Sequence, residues 1–336
     1  MATKSASQAQ HGAGPQIRLA ALVVTYQRLS QIRATVERLL ATPVARVLVV
    51  DNGSTDGTRA WLASVADPRL KVILAETNLG GAGGFEAGLR ELVATDDPDW
   101  IVLMDDDARP LSGTIERFLD HGPWSFDAVS AAVYLADGSI CEMNRPTVNP
   151  FWNMGTFVKT TLGMIAGRSR ESFHVPDSAY RVPDHKDIDA TSFVGLFLAR
   201  ETIRRGGYPD GRLFIYGDDV LYTLSLRKRG MRIGFVPDLT FEHDDHPAWR
   251  DGVVRYVPVW KTYYNARNGL RVYRSAAGLM FLPAMAIVLA KWLLAGRHYG
   301  ADKRAYYRLL WHGLRDGMLG RLSRPHSEVT GLARLR

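Results

Sequence analysis

The sequence predicts an α/β fold in which an open, mostly parallel sheet carries helices on both of its faces. Three observations lead to this prediction: short runs of β-branched and aliphatic residues, amphipathic segments between them, and the regular alternation of the two from Arg18 onwards. Strands that are apolar throughout are typical of a parallel sheet covered on both faces. Strand–helix–strand repeats join neighbouring parallel strands, and ligands of such sheets bind beyond the carboxyl ends of the strands.

The first third of the chain contains the clearest elements. The predicted strands are Leu19–Thr25, Arg46–Val50, Leu70–Ala75 and Trp100–Met104. The predicted helices between them are Gln31–Leu40, Thr58–Val65 and Phe85–Ala94. In the first helix Ile32, Val36 and Leu39 share one face while Arg33 and Arg38 point away from it, as in a helix packed on a sheet.

Candidate binding residues follow the carboxyl ends of the first three strands. They are Thr25, Tyr26 and Arg28 after the first, Asp51 after the second, and Asn78, Gly80, Gly81 and Gly83 after the third. The glycines let the backbone approach a bulky diphosphate ahead of a helix N-terminus at Phe85, and a close helix–sheet contact would explain them equally well. No G-x-G-x-x-G follows the first strand, which disfavours a dinucleotide-dependent dehydrogenase.

Three consecutive aspartates, Asp105, Asp106 and Asp107, come directly after the fourth strand. Neighbouring carboxylates repel each other unless a cation compensates them. Alternate side chains of an extended segment point the same way, so Asp105 and Asp107 are expected to share a ligand that Asp106 does not touch. Hard oxygen ligands suit Mg²⁺ or Mn²⁺. The alternative is that the aspartates cap a helix near Leu111–His121.

The second half of the chain is less regular. Residues 137–186 show poor periodicity with several prolines and aromatics, which favours an inserted, partly mobile region over the site. A buried strand is predicted at Thr191–Arg200, and a helix from Asp218 to Arg229. Asp218 and Asp219 then lie in its first turn, where the helix dipole favours ionised carboxylates. Ordinary acidic capping would also explain Asp218.

A further strand at Arg232–Val236 leads towards two histidines. His243 is placed to reach the ion of Asp105 and Asp107 as a nitrogen ligand, with His246 as the second candidate and a purely structural histidine as the alternative.

The two ends of the chain differ from the middle. Residues 1–16 lack large apolar side chains and are expected to form a disordered arm. Residues 251–336 are predicted to be a basic, aromatic helical region with one apolar run, Ala276–Ala295, interrupted by Pro283 and Lys291. Cations and aromatics beside an apolar helix favour contact with an anionic membrane surface. Two alternatives stay open for the apolar run: it spans the membrane, or it is buried against the rest of the chain or a partner subunit. The run Lys261–Asn268 is suited to bind a phosphate or a lipid headgroup. The alternative is that it forms a solvated helix face.

Composition limits the possible partners. The single cysteine, Cys141, excludes an internal disulfide framework and a Cys-rich zinc site. A net charge of +7 permits an anionic partner such as nucleic acid, a phosphorylated small molecule or an acidic membrane. Nucleic acid is disfavoured because the basic residues concentrate beyond Tyr256, whereas the predicted site is acidic. A homo-oligomer stays open.

These motifs together resemble the family-two inverting glycosyltransferases of the GT-A fold, whose sheet is Rossmann-like. The matching segments, in the order of that family, are VVTYQR at Val23–Arg28, VDNGSTDGT at Val50–Thr58, NLGGAGGF at Asn78–Phe85, MDDDA at Met104–Ala108, FIYGDDVLYTLSLRKRG at Phe214–Gly230, and His243. The resemblance implies a nucleotide-sugar donor and a GT-A domain over residues 17–250.

The resemblance also assigns roles to residues. Thr25, Tyr26, Asp51 and Asn78 would hold the base and ribose, with Asp106 near the ribose and sugar; Arg28, Asp218 and the glycines complete the predicted donor site. Asp105, Asp107 and His243 would bind Mn²⁺ or Mg²⁺, and Asp219 would be the catalytic base.

Within this family the sequence is most similar to bacterial galactofuranosyltransferases that act on polyprenyl-linked glycans. Rhamnosyltransferases share most motifs but often have Glu-Asp where this chain has Asp218-Asp219. The expected enzyme is cytoplasmic and peripheral at the inner face of the membrane. A metal-dependent sugar-nucleotide hydrolase or nucleotidyltransferase would use the same ion. A non-catalytic sugar-nucleotide-binding paralogue is disfavoured, because the chain has both Asp219 and the aspartate triplet.

Overall fold

The structure, a computed structural model, describes residues 17–165, 173–244 and 255–335. The arm expected at residues 1–16 and the second histidine candidate, His246, lie outside these residues. The described strands are β1 (Leu19–Thr25), β2 (Arg46–Asp51), β3 (Leu70–Leu74), β4 (Trp100–Asp105), β5 (Ala108–Pro110), β6 (Ala128–Leu135), β7 (Lys186–Ile188), β8 (Leu196–Ala199) and β9 (Ile233–His243).

Helices connect and cover these strands. They are α1 (Leu29–Leu40), α2 (Thr58–Ser64), α3 (Gly80–Thr95), α4 (Thr114–His121), α5 (Met154–Ile165), α6 (Arg200–Gly206), α7 (Asp218–Lys228), α8 (Lys261–Ala277), α9 (Phe281–Ala295), α10 (Lys303–Met318) and α11 (His326–Arg334). Short 3-10 helices lie at Glu142–Asn144, Asp177–Tyr180, Gly211–Leu213, Gly278–Met280 and Gly296–Asp302.

All described strands belong to one sheet with the order β3-β2-β1-β4-β8-β6-β9-β5, and β7 also pairs with β9. Strands β1 to β4 are parallel, as the strand–helix alternation predicts. Beyond β4 the sheet is mixed, because β8 runs antiparallel to both β4 and β6, and β5 and β7 run antiparallel to β9. The expectation of a mostly parallel sheet is confirmed, because β6 and β9 pair in parallel and run in the same direction as β1 to β4, while β5, β7 and β8 run the opposite way. A strand buried on both faces is apolar whichever way it runs, so its composition does not reveal its direction.

Two apolar layers cover the sheet, as predicted for helices on both faces. On one face Ile32 and Val36 of α1 pack with Phe118 of α4 against β1, β2 and β4. On the other face Phe85 of α3 and Tyr222 of α7 pack against the opposite side of the same strands. The polar ends of the strands are thereby left as the open rim of the fold.

Two strands differ in extent from the prediction. The buried segment predicted at Thr191–Arg200 is a strand only at β8, residues 196–199. Strand β9 continues past Pro237 to His243, although the sequence predicts a strand that ends at Val236. The register between β6 and β9 shifts here, from Ala131 opposite Val236 to Ala132 opposite Thr240. The proline lies in this bulge, where its missing N–H breaks no ladder hydrogen bond.

The C-terminal helices pack on one another and on α7. Tyr263 and Tyr264 of α8 and Leu309 of α10 are buried between them. The apolar run is divided, because α8 ends at Ala277 and α9 begins at Phe281. Within the helical stretch Lys261–Met318, one 18-residue window has a mean hydropathy of 1.9 and is 11% buried. By length and composition alone it could cross a membrane.

Candidate active site

The carboxyl ends of four strands bring the predicted site residues to one rim. Thr25 is the last residue of β1, Asp51 of β2, Asp105 of β4 and His243 of β9. Strand β5 follows β4 at once and pairs antiparallel with β9, with Ala108 opposite His243. This pairing sets the histidine beside the acidic triplet, although more than 130 residues separate them in the sequence.

Asp105, Asp107 and His243 form a cluster whose three ligand atoms all lie within 4.8 Å of one another. His243 is buried, and its Nδ1 lies 2.6 Å from the carbonyl oxygen of Asp244. A carbonyl oxygen only accepts, so Nδ1 carries the proton, and in a neutral ring Nε2 keeps a bare lone pair. That nitrogen faces Asp107 Oδ1 at 3.5 Å. Two acceptors facing each other are stabilised by a cation between them, and this donor set fits Mn²⁺ or Mg²⁺.

The charges at this cluster are poorly solvated. Burial, followed by the charges of Asp107 and Asp106, raises the pKa of Asp105 well above its ordinary value. The charge of Asp218, in the first turn of α7, contributes to the same shift. A bound cation would favour the ionised form of Asp105, since an opposite charge nearby lowers the pKa of a carboxyl group.

Asp106 points away from the cluster to a different set of partners. Its Oδ2 accepts a hydrogen bond of 2.7 Å from the Thr25 hydroxyl, and its Oδ1 lies 3.0 Å from Arg28 Nη1. The same guanidinium nitrogen also pairs with Asp107. Burial raises the pKa of Asp106 to about 6 although the charge of Arg28 acts against it. Arg28 thus stands beside the cation cluster as a fixed positive charge.

The other predicted donor-site residues differ in exposure and in whether their polar groups already have partners within the protein. Asp51 is fully buried, and its carboxylate pairs with Arg59 Nε at 2.7 Å and accepts from the backbone N–H of Ser54. Asn78 uses its Oδ1 to accept from the backbone N–H of Gly80. Tyr26 is exposed on the rim, with 44% of its surface accessible. The local sequence pattern does not reveal that Arg59 pairs with Asp51.

The glycine cluster belongs to helix α3 rather than to a loop before it, since α3 begins at Gly80 and not at Phe85. Gly80 has φ of +71°, and a Cβ there would lie 2.1 Å from the carbonyl oxygen of Phe214. A Cβ at Gly84 would meet Val24 of β1 at 2.5 Å. Close packing therefore explains these two glycines. Gly81 has no atom within 4 Å of its Cβ position, so it leaves the backbone open to a ligand.

The candidate base lies in the first turn of α7. Gly217, with φ of +77°, precedes the helix, and Asp219 Oδ1 accepts from the backbone N–H of Val220 at 2.7 Å. Asp218 is buried and Asp219 half-buried. Burial raises the pKa of Asp219 to about 6, and burial with the charge of Asp219 raises the pKa of Asp218 to about 8. Their carboxyls therefore hold protons more tightly than free aspartates do.

Two residues of α8 hold the segment that leads to this turn, and sequence reasoning missed both. Asn268 Nδ2 donates to the carbonyl oxygens of Leu213, Ile215 and Tyr216 at 2.8–3.0 Å. Arg267 Nη2 donates to the carbonyl oxygen of Leu213 at 2.7 Å. Both side chains are fully buried. The sequence predicts either a headgroup contact or a solvated helix face for Lys261–Asn268, and both predictions are wrong for Arg267 and Asn268.

A signal for this arrangement exists in the sequence. Arg267 follows Tyr263 and Tyr264 by four and three residues and precedes Leu270 by three, so it lies within an apolar helical stripe. A cation in such a stripe is expected to be buried and hydrogen-bonded. Its partners include the backbone carbonyls of Leu213 and Leu322, each more than 50 residues away in the sequence, which no local pattern reveals.

Comparison with known proteins agrees with this geometry. Residues 20–174 match the sequence profile described as Glycosyl transferase family 2. The chain contains a glycosyl transferase family 2 domain. The protein is therefore a glycosyltransferase, and the resemblance seen in its motifs is confirmed.

Three relatives illustrate its position in the family. Galactofuranosyltransferase GlfT1 of Mycolicibacterium smegmatis is 26% identical over 293 residues, covering 84% of this chain and 90% of the relative. GlfT1 of Mycobacterium tuberculosis is 26% identical, covering 90% and 94%. N-acetylglucosaminyl-diphospho-decaprenol L-rhamnosyltransferase of Mycobacterium tuberculosis is 25% identical, covering 69% and 78%.

Solved structures confirm the GT-A-like α/β fold of the glycosyltransferase. S. aureus TarS 1–349 in complex with UDP-GlcNAc has a TM-score of 0.51 at 15% identity, covering 94% of this chain and 84% of that one. GalNAc-T7 with UDP, GalNAc and Mn²⁺ has a TM-score of 0.51 at 15% identity, covering 76% and 51%. At this level of identity the likeness concerns the fold alone.

Proposed function

We propose that the enzyme is a metal-dependent inverting glycosyltransferase that moves galactofuranose from UDP-galactofuranose to a polyprenyl-linked glycan. The observation that carries the proposal is the cluster of Asp105, Asp107 and His243, together with the half-buried Asp219 in the first turn of α7. Relatives named galactofuranosyltransferase align over most of the chain and support the choice of sugar.

In this proposal the donor lies along the ends of β1 to β4. Tyr26 offers an aromatic face on the rim, Asp51 and Asn78 order the loops that would hold the base and ribose, and Gly81 leaves room for the backbone to approach the diphosphate. Arg28 presents a positive charge beside Asp106, where it is placed to face a diphosphate oxygen. Asp105, Asp107 and His243 would hold the divalent ion. When bound, the ion supplies Lewis-acid compensation for negative charge on the leaving nucleoside diphosphate.

Asp219 is the proposed general base. A sugar hydroxyl is a weak nucleophile at neutral pH, so a carboxylate has to take its proton as the new C–O bond forms. The first turn of α7 fixes the Asp219 side chain, because the Val220 N–H holds one of its oxygens and leaves the other for the acceptor. One base on the acceptor side gives single displacement with inversion at the anomeric carbon.

The deciding experiment compares donors with the purified full chain and a lipid-linked disaccharide acceptor. We expect transfer from UDP-galactofuranose that stops on addition of EDTA and returns with Mn²⁺ or Mg²⁺. Transfer from dTDP-rhamnose instead would favour the rhamnosyltransferase alternative, which the 25% identical rhamnosyltransferase relative supports. Release of free sugar at the same rate with and without acceptor would identify a hydrolase.

The proposed location is the cytoplasmic face of the membrane, with residues 17–250 as the catalytic domain, 137–186 as a region over the site and 251–336 as the membrane-facing part. Of the residues of α9, only Met285 is buried. Leu282 and Leu294 are 76% and 62% exposed. An exposed apolar helix beside cations such as Lys303 and Arg304 suits the boundary between acyl chains and anionic headgroups.

A further inference from the structure

A groove opens between α7, α8, α9 and α10, and none of its described lining residues belongs to the predicted donor site. It has a volume of about 650 Å³, within the range of sites that enclose small organic ligands. Part of its wall is apolar, formed by Leu221 of α7, Leu270 of α8, Phe281 of α9 and Met318 of α10. We call it the α7–α8 groove.

Three cations line the α7–α8 groove: Lys228, Arg271 and Arg274. None of its lining residues in the described part of the chain is acidic. Arg271 reaches Asp210 only at 3.9 Å, and its Nε is buried without a hydrogen-bond partner. Across residues 17–165, 173–244 and 255–335 no ion pair of Arg274 is found. The groove therefore has unused positive charge and at least one unused buried donor, which is the environment an anion binds.

Apolar surface continues from the groove to the outside of the molecule. Phe281 begins α9, and Leu279, Met280 and Leu282 beside it are exposed, Leu279 completely. An anion alone would gain nothing from this surface. A ligand with a charged head and a hydrocarbon chain would use both the cations and the apolar walls.

The groove also lies close to the candidate base. Leu221 follows Asp219 by two residues on α7, a rise of about 3 Å along the helix. Val272, next to Arg271, approaches Gly217, since a Cβ on that glycine would lie 2.9 Å from Val272 Cγ2. A ligand seated at Arg271 would therefore lie against the first turn of α7, on a different side of that helix from Asp219.

We propose that the α7–α8 groove binds the prenyl diphosphate end of the acceptor, with Arg271 and Arg274 on the diphosphate and Leu221, Phe281 and Met318 on the first isoprene units. This inference deepens the proposed function and rests on it for the identity of the lipid. It assigns acceptor recognition to the C-terminal helices and donor recognition to the ends of β1 to β4.

Farnesyl diphosphate is a soluble probe for this site, and calorimetric titration in EDTA prevents its diphosphate from binding through a metal at the donor site. The test variant is the double substitution Arg271→Gln, Arg274→Gln. The matched control is Arg204→Gln, Arg205→Gln, which removes the same charge from exposed positions of α6 outside the groove. We expect the test variant to bind the probe at least about tenfold more weakly and the control to stay within about twofold of the unchanged protein.

Inorganic pyrophosphate and vesicles of anionic phospholipid separate the sources of the signal. Failure of equimolar pyrophosphate to displace the probe supports an amphiphilic site. Two results would identify general surface charge and overturn the inference. One is an equal weakening of probe binding in both double variants. The other is binding to anionic vesicles that both double variants lose to the same extent. Unchanged probe affinity in the test variant would also overturn it.

A second measurement uses the unsubstituted protein, in case the test variant does not fold. A benzophenone analogue of farnesyl diphosphate should crosslink to peptides containing Leu221, Phe281 or Met318, and crosslinks confined to other peptides would contradict the assignment. Binding of UDP with Mn²⁺, measured in parallel, keeps the two proposals apart. If the unsubstituted protein does not bind UDP with Mn²⁺, the result counts against the proposed function. If it binds UDP normally but does not bind the probe through the groove, the result counts against this inference alone.

Discussion

At the residue scale, the proposed chemistry depends most on Asp219. We expect Asp219→Asn to lower kcat by at least about 10²–10³-fold, because an amide cannot accept the acceptor proton, while UDP binding is retained. In the unsubstituted enzyme kcat/KM should fall below about pH 6, where Asp219 takes up a proton. Steady-state rates across pH 5–9 and UDP titrations test both expectations. Full activity of the variant would remove Asp219 from the role of base.

Thermal unfolding of the same variant supplies its control. The pKa of Asp219 is raised by burial, so its ionisation costs more in the folded than in the unfolded chain. The free energy of unfolding contributed by this group therefore falls as pH rises from its ordinary pKa near 4 through about 6. Asp219→Asn should raise Tm at pH 8 and raise it less at pH 5. A lowered Tm at both values would indicate that lost activity reflects misfolding.

The cation cluster is tested by direct binding. Asp107→Asn should weaken Mn²⁺ binding at least about tenfold, because the variant loses one of two anionic ligands. Titration followed by the electron paramagnetic resonance signal of free Mn²⁺ measures this without turnover. Asp302→Asn makes the same change at an exposed position outside the cluster and should have no effect. Equal affinity in both variants would contradict the assignment of Asp107.

At this scale the sequence located residues better than their partners. An acidic triplet at the end of a buried strand predicts its own position, because the ends of strands meet at a known edge. The partners of Asp106 come from a distant segment: Thr25 donates to it across 81 residues of sequence and Arg28 across 78. Such pairs depend on how loops close in three dimensions, which the local pattern does not encode.

At the scale of single elements, the start of α3 provides a matched pair of substitutions. Gly80→Ala should destabilise the protein and lower kcat, because its Cβ would overlap the Phe214 carbonyl and its φ of +71° is unfavourable for alanine. Gly81→Ala meets no atom within 4 Å and should leave stability unchanged. If the donor diphosphate approaches Gly81, the Gly81→Ala substitution should change the KM for the donor. Thermal unfolding and donor kinetics of both variants distinguish packing from ligand contact.

Helix α8 provides a second pair. Asn268→Ala removes three hydrogen bonds that a fully buried side chain donates to the segment before α7, and should cost about 1–3 kcal/mol of stability. We expect a larger drop in kcat than in donor affinity, because the lost hydrogen bonds end at residues 213–216, directly before the helix turn of Asp219. Asn265→Ala, on the same helix at a half-buried position, should leave both unchanged. Denaturant unfolding and a separation of kcat from KM test this, and equal effects of the two variants would contradict it.

The sequence predicted most elements but not their connections. Alternating strands and helices give β1 to β4 nearly at their observed bounds, since each segment shows its own periodicity. The antiparallel entry of β8 and the extension of β9 across Pro237 depend on pairing with strands far along the chain. The observed start of α3 precedes the predicted one, Phe85, because glycines are usually turn formers and conceal the first turn of this helix.

At the scale of the whole molecule, α9 is expected to control membrane contact. The double substitution Ile287→Glu, Leu294→Glu should release the enzyme from vesicles of anionic lipid, because both side chains are exposed and would carry charge into the acyl boundary. Activity towards a soluble acceptor analogue should be unchanged. Val182→Glu, at an exposed apolar position outside the C-terminal helices, serves as the control in vesicle sedimentation. Sedimentation unaffected by the double substitution would exclude α9 as the contact.

The hydrogen bonds from Asn268 and Arg267 to the backbone before Asp219 have a consequence for engineering. A chimera that joins the first 250 residues of one family member to the C-terminal helices of another would separate three acceptors from their donors. Successful recombination of donor and acceptor specificities would have to exchange residues 211–217 together with α8, as one inherited block.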